Sequence, residues 1–184
     1  MLHAQPVTKK MADFHLIKDL YQTAFPPRER EPLSMLLSRA KQGTAQFNAY
    51  YDGDTFVGFS SAATQKDLTY VQYLAVAATG RSKGYGGQIL QLIKEAHPQN
   101  RIFLNLELED DTAKNAEQRK KRRVFYLRNG YTPADFNIMI GGNALELMTI
   151  NGTCTADEVQ AFFRKYYGFI IFKWLRIKLW SDVK

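Results

Sequence analysis

The sequence predicts an α/β fold with a mixed, mostly antiparallel central sheet flanked by helices. Short segments that alternate apolar and polar residues occur between segments whose apolar residues recur at helical spacing. A glycine-rich stretch, residues 80–87, also lies between an apolar strand pattern and a helix pattern, an order typical of α/β proteins. The 184 residues, 45% of them hydrophobic, suffice for one domain with its own core.

The first half of the chain predicts two helices followed by antiparallel strands. These elements are, in order, helices over 11–25 and 32–42 and strands over 46–51, 55–63 and 68–76. Pro26-Pro27 ends the first helix, because proline cannot continue the helical hydrogen bonds. Asp52-Gly53-Asp54 lies between two strand patterns and is a strong hairpin signal.

The second half predicts helices that alternate with strands. These elements are a helix over 87–96, a strand over 101–109, a helix over 113–129 and strands over 136–141 and 144–150. Residues 101–109 alternate apolar and polar side chains, the period of a strand. Asn129-Gly130 is a typical C-terminal stop for the charged helix.

The C-terminal segment, 154–184, differs in composition from the predicted domain over 1–153. It begins with a capping-box pattern, Thr155 and Glu158, and then becomes rich in aromatic and basic residues. We interpret it as a basic aromatic helix or extension that packs on the domain or lies at the interface of a homodimer. A membrane-surface segment is the alternative interpretation.

The net charge of +7 is concentrated in one segment. Residues 1–113 are neutral, whereas residues 114–128 carry seven basic groups and one acidic group. One such cluster suits a small anionic ligand as well as it suits a nucleic acid. The single cysteine, Cys154, and three scattered histidines form no metal-ligand spacing, so we expect no metal. With no apolar signal or spanning segment, we expect a cytoplasmic protein.

The glycine-rich stretch carries the pattern Arg81-x-x-Gly84-x-Gly86 between a strand and a helix. Glycines permit a tight turn, and the free N–H groups at a helix start bind phosphate oxygens. The stretch is not a P-loop, because no Gly-Lys-Ser/Thr ends it. It is not the dinucleotide fingerprint either, because no βαβ unit surrounds it and no acidic residue follows at the required distance.

With Leu74-Ala75-Val76 before it and Gly87-Gln88-Ile89-Leu90 after it, this loop resembles the phosphate-binding motif of the GCN5-related N-acetyltransferase (GNAT) family. The segment Phe125-Tyr126-x-Arg128-Asn129-Gly130-Tyr131 is similar to a second motif of that family. The resemblance implies a GNAT-like sheet with a V-shaped splay between the strands at 68–76 and 101–109. It also implies direct transfer of an acetyl group from acetyl-CoA to a primary amine of a small molecule or peptide.

The resemblance also assigns the cofactor site. The cofactor-binding residues that it implies are Leu74, Ala75, Val76, Arg81, Ser82, Lys83, Gly84, Tyr85, Gly86 and Gly87, with Asn115, Arg119 and Arg122 from the charged helix. An amide at Leu74 or Ala75 would stabilise the oxyanion, and Tyr126 matches the residue that often protonates the departing sulfur. One departure is that Arg119 replaces a frequent asparagine, for which Asn115 would compensate only in a longer helix.

The acceptor side is less defined. The candidates for a general base are Glu107 and Glu109, which strand alternation would place on one face. The residues expected near the acceptor are Arg28, Glu29, Glu31, Tyr70 and Tyr73. Gln72 stands where some relatives carry a catalytic glutamate. Carboxylates near the acceptor site would favour a cationic amine as the acceptor.

Two other functions fit parts of the sequence. The first is a non-catalytic acetyl-CoA sensor or scaffold, which the Arg119 departure and the glutamine at 72 permit. The second is a nucleic-acid or membrane-surface binder that uses residues 114–128 and the C-terminal segment. We favour the acetyltransferase and expect neither a nucleic acid nor a membrane as partner, because the charge lies beside a phosphate-binding loop.

Overall fold

The computed structural model describes residues 2–80 and 83–181 of the chain. Within these ranges there are five α-helices and eight strands. The helices are α1 (Phe14–Ala24), α2 (Leu33–Lys41), α3 (Tyr85–Ala96), α4 (Ala116–Arg128) and α5 (Ala156–Trp174). The strands are β1 (Leu2–Pro6), β2 (Ala45–Asp52), β3 (Thr55–Gln65), β4 (Leu68–Val76), β5 (Arg101–Glu107), β6 (Thr132–Ile140), β7 (Asn143–Ile150) and β8 (Lys178–Trp180).

The strands follow the order β1-β2-β3-β4-β5-β7-β6-β8. Strands β4 and β5 pair in parallel, whereas the pairs β1–β2, β2–β3, β5–β7, β6–β7 and β6–β8 are antiparallel. The mixed, mostly antiparallel sheet that the sequence predicts is therefore confirmed. The parallel pairing joins Leu68–Tyr70 to Arg101–Phe103, the first three residues of each strand.

The chain divides into two compact units that are not continuous in sequence. The first comprises residues 1–64 and 71–98, and the second comprises residues 65–70 and 99–184. Neither unit ends at residue 153, and the division into 1–153 and 154–184 stays a prediction. Helix α5 and strand β8 belong to the second unit.

The first unit has a core between helices α1 and α2 and the strands β2 to β4. Helix α1 buries Ile17, Leu20 and Tyr21, one face of its amphipathic pattern. They join an apolar cluster with Phe47 and Phe59 from the hairpin strands. The predicted hairpin is confirmed, since β2 and β3 pair from Asp52 and Thr55 outward. The core therefore holds β4 and the segment that joins the two helices in a defined place.

The core of the second unit is aromatic. Tyr70 stacks on Phe103 with ring centroids 5.1 Å apart, and the edges of Phe162 and Phe163 from α5 pack against these rings. The predicted capping box at the start of α5 is confirmed, because Thr155 and Glu158 exchange both of its hydrogen bonds. In the described part of the chain, no helix combines the length and apolar character needed to cross a membrane.

Several predicted boundaries are wrong, and two strands were not predicted. Helix α1 begins at Phe14 rather than at 11, and strand β6 begins at Thr132 rather than at 136. Strand β5 ends at Glu107 rather than at 109, because the chain turns at Asp110, whose carboxylate accepts hydrogen bonds from Thr112. Helix α4 begins three residues later than predicted, after Asn115. Strands β1 and β8 are short, and their neighbours β2 and β6 provide the pairing that stabilises them.

An ion pair fastens the start of α5 to β5. The Arg101 guanidinium binds the Glu158 carboxylate at 2.8 and 3.0 Å. These hydrogen bonds lower the pKa of Glu158 from 4.5 to about 2. A lowered native pKa means that the carboxylate stabilises the fold at neutral pH, and that this contribution is lost as the pH falls towards 2.

We therefore expect Glu158→Gln to lower the free energy of unfolding at neutral pH and to have a smaller effect as the pH falls below 4.5. Denaturant unfolding at a series of pH values measures the difference. Asp157→Asn, a change of the neighbouring acidic residue in the same first turn, is the matched control. A difference that stays constant down to the lowest pH would contradict this prediction.

Candidate active site

The first part of the site is the start of helix α3 in the first unit. Gly84 precedes the helix with φ of 79°, a left-handed conformation that favours glycine. No side chain in the described part of the chain caps this helix start, and its first turn holds no acidic residue. The helix is anchored by three buried side chains, those of Ile89, Leu90 and Ile93. The first amide groups of α3 are thus available to an anion.

The predicted loop residues differ in what the structure says of them. Arg81 and Ser82 lie outside the described residues. Lys83 is exposed beside the helix start. The Tyr85 hydroxyl donates to an Asp52 carboxylate oxygen at 2.7 Å, so this side chain is directed at the hairpin turn. Only the backbone of Tyr85 is therefore a candidate to contact a phosphate.

Strand β4 directs alternate backbone groups to its two edges. A Cβ built on Gly58 of β3 would lie only 2.3 Å from the carbonyl oxygen of Ala75, so this carbonyl faces β3. The N–H of Ala77 likewise donates to the Val57 carbonyl of β3 at 2.9 Å. Because successive residues of a strand alternate, the amide groups of Leu74 and Val76 face the other edge. Of the two predicted oxyanion donors, this orientation favours Leu74.

The segment between α1 and α2 is held by two buried tyrosines. The Tyr73 hydroxyl donates to the Glu29 carbonyl at 2.8 Å and accepts from the Glu31 N–H at 3.1 Å. The Tyr21 hydroxyl donates to the Glu31 carbonyl at 3.0 Å. Burial raises the pKa of both tyrosines, so both stay protonated donors. Tyr73, expected to contact the acceptor, therefore positions this segment.

The same segment presents one carboxylate with fixed partners. An oxygen of Glu31 accepts from Gln72 at 2.6 Å, and the other binds the Arg39 guanidinium. The Glu31 side chain is 16% exposed. Gln72 thus stands where some relatives carry a glutamate, and it fastens a glutamate from another part of the chain. Arg28, by contrast, is an exposed side chain 3.7 Å from Glu29.

The second unit contains a separate cluster around Glu107. Its carboxylate accepts from Arg122 at 2.8 Å and from the Asn115 amide at 3.2 Å, and Arg119 lies 3.2 Å away. Arg119 also donates to the Leu108 carbonyl at 2.9 Å. The three residues predicted to bind the cofactor from this helix therefore meet on one of the two predicted bases.

These contacts decide the charge state of Glu107. Burial alone would raise its pKa, but the hydrogen bonds from Asn115 and Arg122 and the charges of the two arginines outweigh burial and lower the pKa. A carboxylate with a lowered pKa is a weak base. The geometry thus favours a structural role for Glu107. Glu109 follows the strand rather than lying on its face, so the predicted alternation was wrong for it, and it approaches Arg123 at 3.8 Å.

The concentrated positive charge of residues 114–128 is largely paired within the second unit. Arg119 and Arg122 bind Glu107, Lys120 binds Asp111 at 2.8 Å, and Arg123 binds Glu146 at 2.9 Å. Four of the seven basic residues of this segment thus have carboxylate partners. The charge that the sequence assigns to an anionic ligand serves in good part to fasten α4.

Two tyrosine rings meet at the end of α4. The rings of Tyr126 and Tyr131 lie 5.7 Å apart, edge to face. Burial raises the pKa of Tyr126 to about 12, and the charge of Arg122 opposes this shift. Tyr126 therefore remains protonated at neutral pH, as a proton donor must.

Tyr70, expected near the acceptor, is only 3% exposed and donates to Asn105 at 2.6 Å, which favours a role in the core.

The Tyr131 hydroxyl is buried and has no hydrogen-bond partner among the residues that the structure describes. We expect Tyr131→Phe to raise the free energy of unfolding by about 1–2 kcal/mol, because an unpaired buried hydroxyl costs roughly that much. Thermal and denaturant unfolding measure the change. Tyr50→Phe is the control, since its hydroxyl is hydrogen-bonded to Ser60 at 2.9 Å and its loss should destabilise the fold. A destabilised Tyr131→Phe protein would contradict the prediction.

One feature of the candidate site, the contacts of Glu31 with Arg39 and Gln72, was not predicted from the sequence. Arg39 lies in the last turn of α2, eight residues after Glu31, and nothing in its local pattern indicates a carboxylate partner. Gln72 was noted only as a missing glutamate. The sequence near Glu31 cannot indicate this hydrogen bond, because Gln72 lies 41 positions away in the chain.

Residues 43–133 match the family model described as acetyltransferase (GNAT) domain. A GNAT-family acetyltransferase structure from Bacteroides thetaiotaomicron is similar at 24% identity and a TM-score of 0.71, covering 92% of this chain and 98% of that one. An aminoglycoside 6'-N-acetyltransferase complexed with coenzyme A is similar at 14% identity and a TM-score of 0.63, covering 80% of this chain and 96% of that one. The ribosomal-protein-S18-alanine N-acetyltransferase from Escherichia coli is similar at 13% identity and a TM-score of 0.60, covering 85% of this chain and 97% of that one.

No curated protein matches the chain. The structural neighbours share less than a quarter of their residues with the chain, and they show its fold. In the described part of the chain no cluster of histidine, cysteine, aspartate or glutamate could hold a metal ion. The matched segment contains β4, the glycine-rich loop, α3 and α4, the helix that contains Tyr126. Residues 43–133 therefore match a GNAT acetyltransferase domain, and the solved structures show that the chain has the fold of such acetyltransferases.

Proposed function

We propose that the protein transfers the acetyl group of acetyl-CoA to a primary amine of a small molecule or peptide by direct attack. The observation that carries the proposal is the uncapped start of α3 behind Gly84, within the segment that matches the acetyltransferase family. Similar structures include an enzyme complexed with coenzyme A and enzymes named for aminoglycoside and protein-alanine acceptors. These names support a coenzyme A donor and an amine acceptor.

On the donor side, the first amides of α3 bind the pyrophosphate of acetyl-CoA, and the exposed Lys83 adds a positive charge. The acetyl carbonyl lies along β4, where the Leu74 amide faces the edge opposite β3. A fixed N–H donor at this position stabilises the oxyanion of the tetrahedral intermediate, because its dipole needs no reorganisation.

The reaction itself forms one bond and breaks one. The bound ammonium first loses a proton to water, because only a neutral amine nitrogen has the lone pair needed for attack. This nitrogen attacks the thioester carbonyl carbon, and the resulting tetrahedral intermediate collapses with cleavage of the carbon–sulfur bond. The nitrogen loses a proton to water, and the departing thiolate takes a proton from Tyr126, which water then reprotonates. The raised pKa of Tyr126 keeps this proton in place until the sulfur carries negative charge.

On the acceptor side, we propose that Glu31 binds a cationic amine. Its carboxylate is held by Gln72 and Arg39, yet each carboxylate oxygen has a second lone pair for a further donor. The backbone of the same residue is held by Tyr21 and Tyr73. A carboxylate that is fixed before binding loses little conformational freedom when the amine arrives.

We expect Glu31→Gln to raise the KM for a cationic amine by about tenfold, because a hydrogen bond to a charged group contributes about 1.5–3 kcal/mol. The dissociation constant for acetyl-CoA should not change. Steady-state kinetics with the amine as the varied substrate measure the effect. Asp19→Asn, which neutralises an exposed acidic residue of α1 in the same unit, is the matched control. An equal rise in KM for both variants would contradict the assignment.

The proposed function is tested in two steps. Acetyl-CoA should raise the melting temperature of the protein, whereas dephospho-CoA and free adenosine should raise it less. A panel of polyamine, aminoglycoside and peptide amines is then screened for thiol release, with neutral and anionic amines as comparison. The absence of any thermal shift with saturating acetyl-CoA would overturn the proposal.

A second function is a non-catalytic acetyl-CoA sensor. The observation that favours it concerns Glu107, one of the two predicted bases. Its carboxylate is held by hydrogen bonds and ion pairs from Asn115, Arg119 and Arg122, so it is poorly suited to accept a proton from an amine. A sensor would show the thermal shift with acetyl-CoA but no thiol release with any acceptor. A nucleic-acid binder would instead show neither a thermal shift with acetyl-CoA nor thiol release, and it would bind DNA in a strongly salt-dependent manner.

A further inference from the structure

Large apolar side chains are exposed on the last part of α5. Phe169, Ile170 and Trp174 are 70%, 82% and 78% exposed, the largest such values among the exposed large hydrophobic residues of the described chain. Lys173 lies on the same face, with its ammonium 4.5 Å from the Phe169 ring centroid. A contiguous exposed apolar surface of this kind usually marks an interaction site.

This surface is presented by a firmly held segment. Gly168 has φ of 73° and ψ of 161°, which interrupts the helix after its buried first part. Beyond the kink, Phe172 and Ile177 are buried, and the Gly141 N–H donates to the Leu175 carbonyl at 2.7 Å. Strand β8 then pairs with β6. The exposed rings therefore do not result from a frayed end.

The sequence that surrounds these rings is strongly basic. Residues 159–181 contain five basic residues and no acidic residue. Those with exposed positions are Arg164, Lys165, Lys173, Arg176 and Lys178. We name Phe169, Ile170 and Trp174 together with these five residues the basic aromatic patch.

We infer that the basic aromatic patch binds the surface of an anionic lipid bilayer. Apolar side chains among lysine and arginine are the composition of helices that lie in the membrane interface. Tryptophan favours the headgroup level, and each basic residue near anionic lipid adds attraction. A bilayer supplies at once an apolar phase for Ile170 and Phe169 and negative charge for the cations.

Charge complementarity decides against the other occupants. In a symmetric dimer the patch would face its own copy, which brings five positive charges against five. A nucleic acid would satisfy the cations and could stack on the rings, but it offers no apolar phase for the aliphatic Ile170. A bilayer therefore fits both components of the patch.

The test uses the full chain and vesicles of defined composition. We expect the protein to sediment with vesicles of phosphatidylcholine and phosphatidylglycerol but not with vesicles of phosphatidylcholine alone. Added salt should weaken the binding, because it screens the exposed charges. The tryptophan emission should shift to shorter wavelength on binding, and Trp174→Phe should abolish most of this shift. Binding that is equal for both vesicle types would overturn the inference.

Two sets of exposed substitutions separate the apolar and the charged contributions. Phe169→Ser with Ile170→Ser and Trp174→Ser removes the apolar side chains, and Lys165→Gln with Lys173→Gln and Lys178→Gln removes three charges. Each set should lower vesicle partitioning by about tenfold or more, because both components contribute to interfacial binding. All these positions are exposed, so the melting temperature should change little.

The matched control changes exposed residues elsewhere, Leu16→Ser with Lys9→Gln and Lys10→Gln, and should bind vesicles like the wild type. Sedimentation velocity without lipid and binding to single-stranded DNA are measured in parallel. Self-association or DNA binding that depends on the patch, without vesicle binding, would overturn the inference. The vesicle measurements require no turnover, so their outcome is independent of the acetyltransferase proposal.

Discussion

Tyr126→Phe should lower kcat by about a hundredfold, because a positioned general acid contributes on the order of 10²–10⁴ to a rate. The departing thiolate, whose thiol has a pKa of about 8.5, would then leave without a proton donor. The dissociation constant for acetyl-CoA should stay unchanged, because only the hydroxyl is removed. Pre-steady-state kinetics of thiol release and a binding titration separate the two quantities.

The neighbouring Tyr131 provides the control for this change. Tyr131→Phe makes the same substitution on the ring that packs against Tyr126, and it should leave kcat close to that of the wild type. The pH profile gives a second check. Because burial raises the pKa of Tyr126 to about 12, kcat should not fall between pH 9 and 11 through loss of this proton. A kcat for Tyr126→Phe equal to that of the wild type would remove Tyr126 from the mechanism.

Gly86→Asp should weaken acetyl-CoA binding by about a hundredfold or more, because like charges a few ångströms apart near a protein surface repel by about 3–4 kcal/mol. The new carboxylate would occupy the position of a phosphate at the start of α3. An acidic residue in the first turn of a helix interacts favourably with the helix dipole, so the unliganded protein should not lose stability for this reason. Isothermal titration with acetyl-CoA and thermal unfolding without it measure the two effects.

Two further variants keep this prediction testable. Gln91→Asp places the same charge on α3 away from its start and should bind acetyl-CoA nearly as well as the wild type. Lys83→Glu changes an exposed loop residue, so folding should be unaffected while acetyl-CoA binding weakens by about tenfold or more. If Gly86→Asp and Gln91→Asp weakened binding equally, the start of α3 would not be the phosphate site.

The elements with local signals were predicted well from the sequence. Asp52-Gly53-Asp54 predicted the hairpin, and the apolar run at 68–76 coincides with β4. The glycine-rich loop and its helix were found because turns and helix starts depend on the conformational freedom of a few consecutive residues. The short strands β1 and β8 were missed, because their stability comes from their partners in the sheet.

The candidate site was predicted in part. The sequence identified Glu31 and Glu107 as carboxylates of interest, but it could not rank them. In the structure Glu107 is held by two arginines and an asparagine, whereas Glu31 is held by one arginine and a glutamine. The difference is the reason that we propose Glu31 as the carboxylate that binds a cation, and it depends on partners distant in sequence.

The sequence by itself determined the fold class, the position of the glycine-rich loop before α3 and the uneven distribution of charge. Only the tertiary structure decided what that charge does. Residues of α4 that look like a free basic surface are paired with Glu107, Asp111 and Glu146. In α5, by contrast, the sequence shows one continuous aromatic pattern, yet Phe162 and Phe163 are buried while Phe169 and Trp174 are exposed. Burial and ion pairing are properties of the surroundings, and residues far apart in the chain supply those surroundings.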